Sequence, residues 1–349
     1  MAAALSSLRV RVPAGCEELF AEMEARGWGD GLPVIPPTPE RVAEFISASR
    51  RPASEVVGQI PPTFAPGTVE KIAVNAVLAG CRPDYMPVVI AALEAACQEA
   101  FNLYAVQSTT HPCGVLVLVS GEEGRRIGMS SGYSAFGPGG RANATIGRAV
   151  RLALMNIGGA RPGVLDRSTQ GSPARYTYCV AENDAASPWE PFHVGRGFAR
   201  EDSVVTAIAG EPPHNINDHG STTAAGLLAT IAGAMTSAGH NNLVLGGDCY
   251  LFLGPEHAAQ LAREGLSRSE VQRYVFDHAQ VPRDRLGPEQ LAFIEGYHEV
   301  ASRELTRRAL PLATRPEDIN VLVVGGDGRH SCWVPTFGLT RSVSVAVRM

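Results

Sequence analysis

The chain has no run of 18 apolar residues, no Cys-x-x-Cys pair and no zinc-finger spacing. Those gaps exclude a membrane-spanning helix and the common cysteine-based metal and redox motifs. It also lacks a Gly-x-x-x-x-Gly-Lys-Ser/Thr loop, a Gly-x-Ser-x-Gly elbow, and a Gly-x-Gly-x-x-Gly between strand and helix with a distal acidic residue. ATP, serine-hydrolase and dinucleotide readings therefore lose their usual support. Charged residues make up only 19%, the formal net charge is -5 and the pI is near 6.0. Without a basic stripe, nucleic acid is not expected as a partner, and Arg307-Arg308 reads as a solvated helix face. Met1 to Ala14 lacks the charged start and apolar centre of a secretory signal, so the expectation is a cytoplasmic protein with no membrane partner.

What is present is an ordinary globular composition: 349 residues, 45% hydrophobic, with 37 glycines and 25 prolines. That length buries a sizeable core without disulfide or metal staples. Seven scattered cysteines, an odd number, read as reduced thiols. Cys81 and Cys97, within helical apolar patterns, are the clearest buried small hydrophobes.

Apolar residues recurring every three or four positions predict helices at about Cys16 to Arg26, Pro39 to Ser49, Thr68 to Ala79 and Tyr85 to Glu99. Between the first two, Trp28 to Thr38 is a rigid, glycine- and proline-shaped loop. From Leu103 the pattern shifts to short apolar runs, of which Val115 to Val119 is the plainest buried strand. Ser131 to Gly140 is a glycine-rich loop opening onto a helix at about Asn143 to Asn156. Gly158 to Ser203 has little periodicity and many polar and aromatic residues, as a functional loop region would. A strand near Val204 to Ala209 follows, then the polar stretch Pro212 to Thr223 and an apolar helix to Ala238. Helices at about Pro255 to Arg263, Ser267 to Phe276 and Pro288 to Arg308 complete the alternation. The expected fold is α/β: a mainly parallel sheet with flanking helices, a helical N-terminal portion and long irregular central loops. Its portions are 1–100 (mainly helical), 101–240 (α/β with long polar loops) and 241–349 (C-terminal α/β), or one continuous domain.

One internal similarity stands out. Asn241-Asn-Leu-Val-Leu-Gly-Gly-Asp248 and Ile319-Asn-Val-Leu-Val-Val-Gly-Gly-Asp327 both read as a short strand emptying into a Gly-Gly-Asp turn. Ligands in open parallel sheets bind beyond the carboxyl ends of strands, so both turns, with Asp248 and Asp327, are placed at a site. The second leads into Arg329-His330-Ser331-Cys332, where His330 and Arg329 could supply the base and positive field that a thiolate at Cys332 needs. The competing reading is a buried structural cysteine.

Two further clusters carry chemistry. His214, Asp218 and His219 have donors suited to a divalent metal such as zinc, iron or manganese, although the spacing matches no standard signature; hydrogen-bonded substrate contacts from Asn215, Asn217, Asp218, His219 and Ser221 are the other reading. At the helix start after the glycine loop, Arg141 and Asn143 could hold an anionic group, or the loop could serve helix capping alone. His111 and Cys113 precede a strand, at the end of a parallel sheet that ligands usually avoid.

Asp30-Gly-Leu-Pro-Val-Ile-Pro-Pro-Thr38, Asn143-Ala-Thr-Ile-Gly-Arg148, Asn217-Asp-His-Gly-Ser221 and Gly325-Gly-Asp-Gly-Arg-His-Ser-Cys332 together resemble a bacterial group related to the UGSC-motif selenoprotein family, over most of the chain. The resemblance implies thiol or selenol chemistry near Cys332. Arg329-His330 stands where Sec-Gly would be expected, so only the Ser-Cys end matches, and no activity is carried over.

The expected function is a small-molecule enzyme, lyase- or transferase-like, acting at a carbonyl or carbon–heteroatom bond of a small acid. Cys332 would be the nucleophile, His330 the acid/base and Asp327 its orienting partner, without a cofactor. The alternatives are a metal-dependent hydrolase or lyase using His214, Asp218 and His219, and a non-catalytic ligand-binding or assembly subunit. A homo-oligomer is compatible with each.

Overall fold

A computed structural model describes residues 5–297 and 309–348. The early helices form where the periodicity places them. Pro39–Ser49 starts on Thr38, whose hydroxyl accepts from Arg41 N, with proline at the first helical position. Val69–Ala79 is capped by Thr68 and stopped by Gly80 at φ +87°. Met86–Ala96 is apolar on nearly every side and buried accordingly.

Two four-stranded sheets form the centre. One has the order β12 (Val343–Ala346), β5 (Val204–Gly210), β3 (Gly114–Ser120), β4 (Cys179–Ala181); the other has the order β10 (Ile319–Val323), β7 (Cys249–Leu253), β11 (His330–Val334), β6 (His214–Asn217). Two small antiparallel pairs, β1 (Val56–Ile60) with β2 (Ala65–Thr68) and β8 (Gln280–Pro282) with β9 (Ala309–Pro311), lie apart from them.

Strand alternation divides the core into three. Val117, Val119, Val205 and Ala207 face the helices of the N-terminal half. Leu251, Leu253, Val321 and Trp333 face the helices at Ala224–Ala234, Pro255–Arg263 and Arg268–His278. The remaining faces meet each other: Leu116, Leu118, Val180 and Ile208 of one sheet pack with Tyr250, Phe252, Leu322 and Val334 of the other. The architecture is thus helices, sheet, sheet, helices.

This layering explains why the strands read as continuous apolar runs. Such runs signal burial on both faces, which usually accompanies parallel sheets; here the second face is covered by another sheet. Strand direction is therefore free to vary. β3–β4 and β7–β10 are parallel, whereas β11 with β6 and β7, and β5 with β3 and β12, are antiparallel. The α/β class holds, and the mainly parallel expectation is met only at those two pairs.

The first Gly-Gly-Asp turn needs correction. Asn241–Leu245 is a short helix, with His240 as N-cap accepting from Leu243 N. The strand follows the turn, at Cys249–Leu253. The helix at Pro288 runs to Gly296, and residues 298–308 of that segment, with Arg307-Arg308, lie outside the described residues, as do residues 1–4 of the N-terminal stretch. No helix among the described residues is long and apolar enough to cross a membrane.

Candidate active site

The carboxyl ends of β7, β10 and β6 and the start of β11 share one end of their sheet, because β11 runs against both its neighbours. The other sheet is joined at this end: Asn183, just beyond β4, donates from its backbone to Val323 O (2.8 Å) and from its amide to Gly325 O (3.0 Å).

His330 opens β11 opposite Asn217, while Cys332 lies opposite Asn215. The antiparallel register puts these four side chains on one face. His330 Nδ1 is 3.0 Å from Asn215 Oδ1, and His330 Nε2 is 3.3 Å from His219 Nε2, the two rings meeting edge to face. With an amide oxygen as its partner, Nδ1 carries the hydrogen, leaving the Nε2 lone pair to the neighbouring imidazole or to a ligand. Asn215, Asn217, His219, Asp327 and His330 are all exposed.

Asp327 does not orient His330. Its carboxylate accepts instead from Tyr133 OH (2.8 Å), brought in by the glycine-rich loop. This hydrogen bond, the first cause, raises the Tyr133 phenol above its ordinary range. The Tyr133 ring lies over Gly326, where an added Cβ would stand 2.3 Å from the ring. The loop, which also accepts Gly325 N at Ser131 O (2.8 Å), thus closes directly onto the second turn.

Beneath the imidazoles is a buried support that the sequence did not reveal. His257 Nδ1 is 2.7 Å from Ser331 Oγ, its Nε2 is 3.1 Å from Asp218 O, and Gly254 N donates to Ser331 Oγ (3.0 Å). A carbonyl only accepts, so Nε2 is protonated and Nδ1 takes the serine hydrogen. Burial, the largest cause, lowers the His257 pKa below its ordinary 6.5. In sequence His257 is one residue on the inner face of an amphipathic helix, beside Ala258 and Leu261, and nothing else marks it.

Asp218 and Ser221 belong to the same support. Ser221 donates to the Asp218 carboxylate from its backbone (2.8 Å) and hydroxyl (2.7 Å). Burial alone would raise Asp218, but hydrogen bonds from Ser221, Thr230 and Gly220 together outweigh it and lower its pKa to about 2. Arg329 is likewise committed, donating to Asp218 O (2.8 Å), Ser221 O (2.6 Å) and Gln260 Oε1 (2.8 Å). None of these hydrogen bonds reaches Cys332.

Cys332 points between the sheets, packed against the cluster of Leu116, Tyr178 and Val334. Burial pushes its thiol up to about 12, far from the lowered values of reactive cysteines. Cys332 itself is only partly buried, and both imidazole nitrogens of His330 are engaged elsewhere, so neither reaches its thiol.

Other expected contributors are scattered. His214 starts β6 and His219 lies beyond its end; the His214, Asp218, His219 metal set does not converge, no group of three such side chains among the described residues being placed to hold an ion. Arg141 donates to Gly80 O (3.1 Å) and Cys81 O (3.4 Å), capping a neighbouring helix end instead of facing a ligand. Asn143 is buried and spends its amide on Ser130 N and Ser130 O, both at 2.8 Å, bracing the glycine loop. Asp248 lies before β7, at the far end of the sheet, where it accepts from Ser342 N (2.9 Å) and Ser342 Oγ. His111 is also at that far end, 2.7 Å from Glu211.

The chain matches no protein-family model, no curated protein and no solved structure.

Proposed function

We propose that the chain is a small-molecule enzyme, lyase- or transferase-like, whose acid–base work at a carbonyl or carbon–heteroatom bond is carried by His219 and His330. The supporting observation is the convergence of two exposed imidazoles from separate segments at 3.3 Å, one with its tautomer set by Asn215. One ring accepts a proton at Nε2 while the other returns it, and Asn217, Asp327 and the Tyr133 hydroxyl offer hydrogen bonds to a polar substrate. Arg141 and Arg329, the cations that would receive a substrate carboxylate, are committed to backbone carbonyls. The reading therefore favours hydroxyl or carbonyl groups next to the imidazoles. Cys332 acts as packing under β11 and takes no covalent part.

A metal-dependent variant would have to rest on the same two histidines. Among the described residues no group of three His, Cys, Asp or Glu side chains is placed to hold an ion. Two imidazoles alone do not make the three-ligand set of a catalytic zinc site, and no step is assigned to a metal.

The test is a mass-spectrometric screen of small hydroxy- and keto-compounds, followed by variants on any compound turned over. His330→Asn should lower kcat/KM by about 10²–10⁴-fold, while Cys332→Ser stays within a few-fold of the parent. Undiminished turnover by His330→Asn, or its loss in Cys332→Ser with folding intact, overturns the assignment.

A further inference from the structure

At the opposite end of the first sheet, two arginines share one carboxylate out of water. Arg151 donates to Asp166 Oδ2 (2.9 Å) and Arg175 to Asp166 Oδ1 (2.8 Å). The Arg151, Arg175 and Asp166 side chains are only 11%, 9% and 4% exposed, so screening by solvent is weak and the trio carries one positive charge. Burial, and then the charge of Arg175, lower the Arg151 pKa. Of the neighbouring acids, Asp30 is bound bidentately by Arg148, and Glu211 is turned towards His111 and Asn241 N.

Beside the pair lies a partly enclosed cavity of about 10 Å³, lined by Arg151, Arg175, Gln107, Leu154 and Tyr178 among others. It admits one water-sized occupant. Gln107 is 2% exposed, and its amide Nε2 has no hydrogen-bond partner. A buried amide donor without a partner is destabilising, and the two guanidinium groups cannot relieve it because they too only donate.

We propose that this cavity is a binding site for one halide-sized anion, chloride under ordinary conditions, held by Arg151, Arg175 and the Gln107 amide. Such an ion supplies negative charge and offers an acceptor to the guanidinium and amide groups that line the space. Its size excludes carboxylates and phosphates, which would require the walls to part. Since Arg151 is on the helix Arg141–Asn156, Gln107 on Leu103–Ser108 and Arg175 at the end of the 3-10 turn Pro173–Arg175 before β4, the ion joins three segments and stabilises the fold. It is independent of the imidazole pair.

The measurement is thermal unfolding of the full chain in sodium chloride, sodium bromide and sodium gluconate at matched ionic strength, with a crystal grown in bromide. Chloride and bromide should raise Tm by several degrees over gluconate in a saturable way, and an anomalous bromide peak should fall among Arg151, Arg175 and Gln107. Arg175→Gln should remove the halide dependence by restoring a one-to-one charge pair. If that variant does not fold, Gln107→Leu, which keeps both arginines but deletes the amide, should weaken it. Equal Tm in all three salts, density for water alone, or an undiminished halide effect in the variants would overturn the proposal.

Discussion

The tripeptide Gly-Gly-Asp occurs twice, and its two copies have opposite places in the molecule. Gly246-Gly247-Asp248 precedes β7, whereas Gly325-Gly326-Asp327 follows β10; since these strands are parallel neighbours, the turns lie at opposite ends of one sheet. Asp248 is buried and fastens the segment before β12 through Ser342. Asp327 is exposed and meets a tyrosine from a surface loop. The same three residues thus build a structural clamp or a candidate binding edge, according to whether the preceding apolar stretch became helix or strand.

The comparison is sharpened most by the glycines. Gly247 has φ +88°, and an added Cβ would lie 2.8 Å from Gly338 Cα; Gly247→Ala should cost about 2–5 kcal/mol through strain and overpacking. Asp248→Ala should come next, at about 2–4 kcal/mol, because Ser342 N and Oγ lose a charged acceptor. Urea denaturation measures both, and a cost below 1 kcal/mol (about fivefold in the folding equilibrium) would dissolve the contrast between the turns.

At the site end, the effect to measure is pH dependence. His257 has a lowered folded pKa, so its contribution is complete above about 6.5 and declines as pH falls below that value. Asp218, also lowered, contributes above its ordinary 3.8 and loses this contribution as pH falls to about 2. Stability should therefore drop in two stages on acidification, and His257→Asn should abolish the first. A parent profile flat from pH 7 to 5 would contradict the buried imidazole geometry.

The smallest effects belong to the exposed turn. Asp327→Asn should change stability by no more than about 0.5 kcal/mol. Gly326→Ala should cost under about 1 kcal/mol, since the Tyr133 ring can swing outward, but it should break the Tyr133–Asp327 contact, visible as a change in tyrosine fluorescence. Native-state alkylation gives an independent reading: exposed Cys16 should label readily and Cys332 should resist.

How far the sequence spoke for itself varied with the physics of each segment. Pro39–Ser49 was legible because a threonine cap, an N1 proline and helical periodicity agree. Ile319–Val323 was legible as an apolar run ending in glycines. Asn241–Leu245 was not, since five residues containing Leu-Val-Leu fit either structure, and the capping imidazole of His240 tipped it to helix. β6, reading His-Asn-Ile-Asn, offers only one apolar residue and so reads as part of a polar stretch. His330 and His219 are chemically able by residue type alone, yet their meeting depends on a β6–β11 pairing over more than 100 residues, and the roles of Arg141, Asn143, Arg329 and Asp248 depend on backbone carbonyls and amides that side-chain identity does not announce.

The strand holding Asn215 and Asn217 is also the open border of its sheet, paired on one side only among the described residues. A bare border of this kind invites a strand from another molecule, and short length, polar side chains and flanking prolines discourage that recruitment. His214-Asn-Ile-Asn217, preceded by Pro212-Pro213, has all three. Replacing these asparagines with apolar residues would therefore trade a change in chemistry for a loss of colloidal solubility, and small polar replacements such as Asn215→Ser are the ones that separate catalysis from self-association.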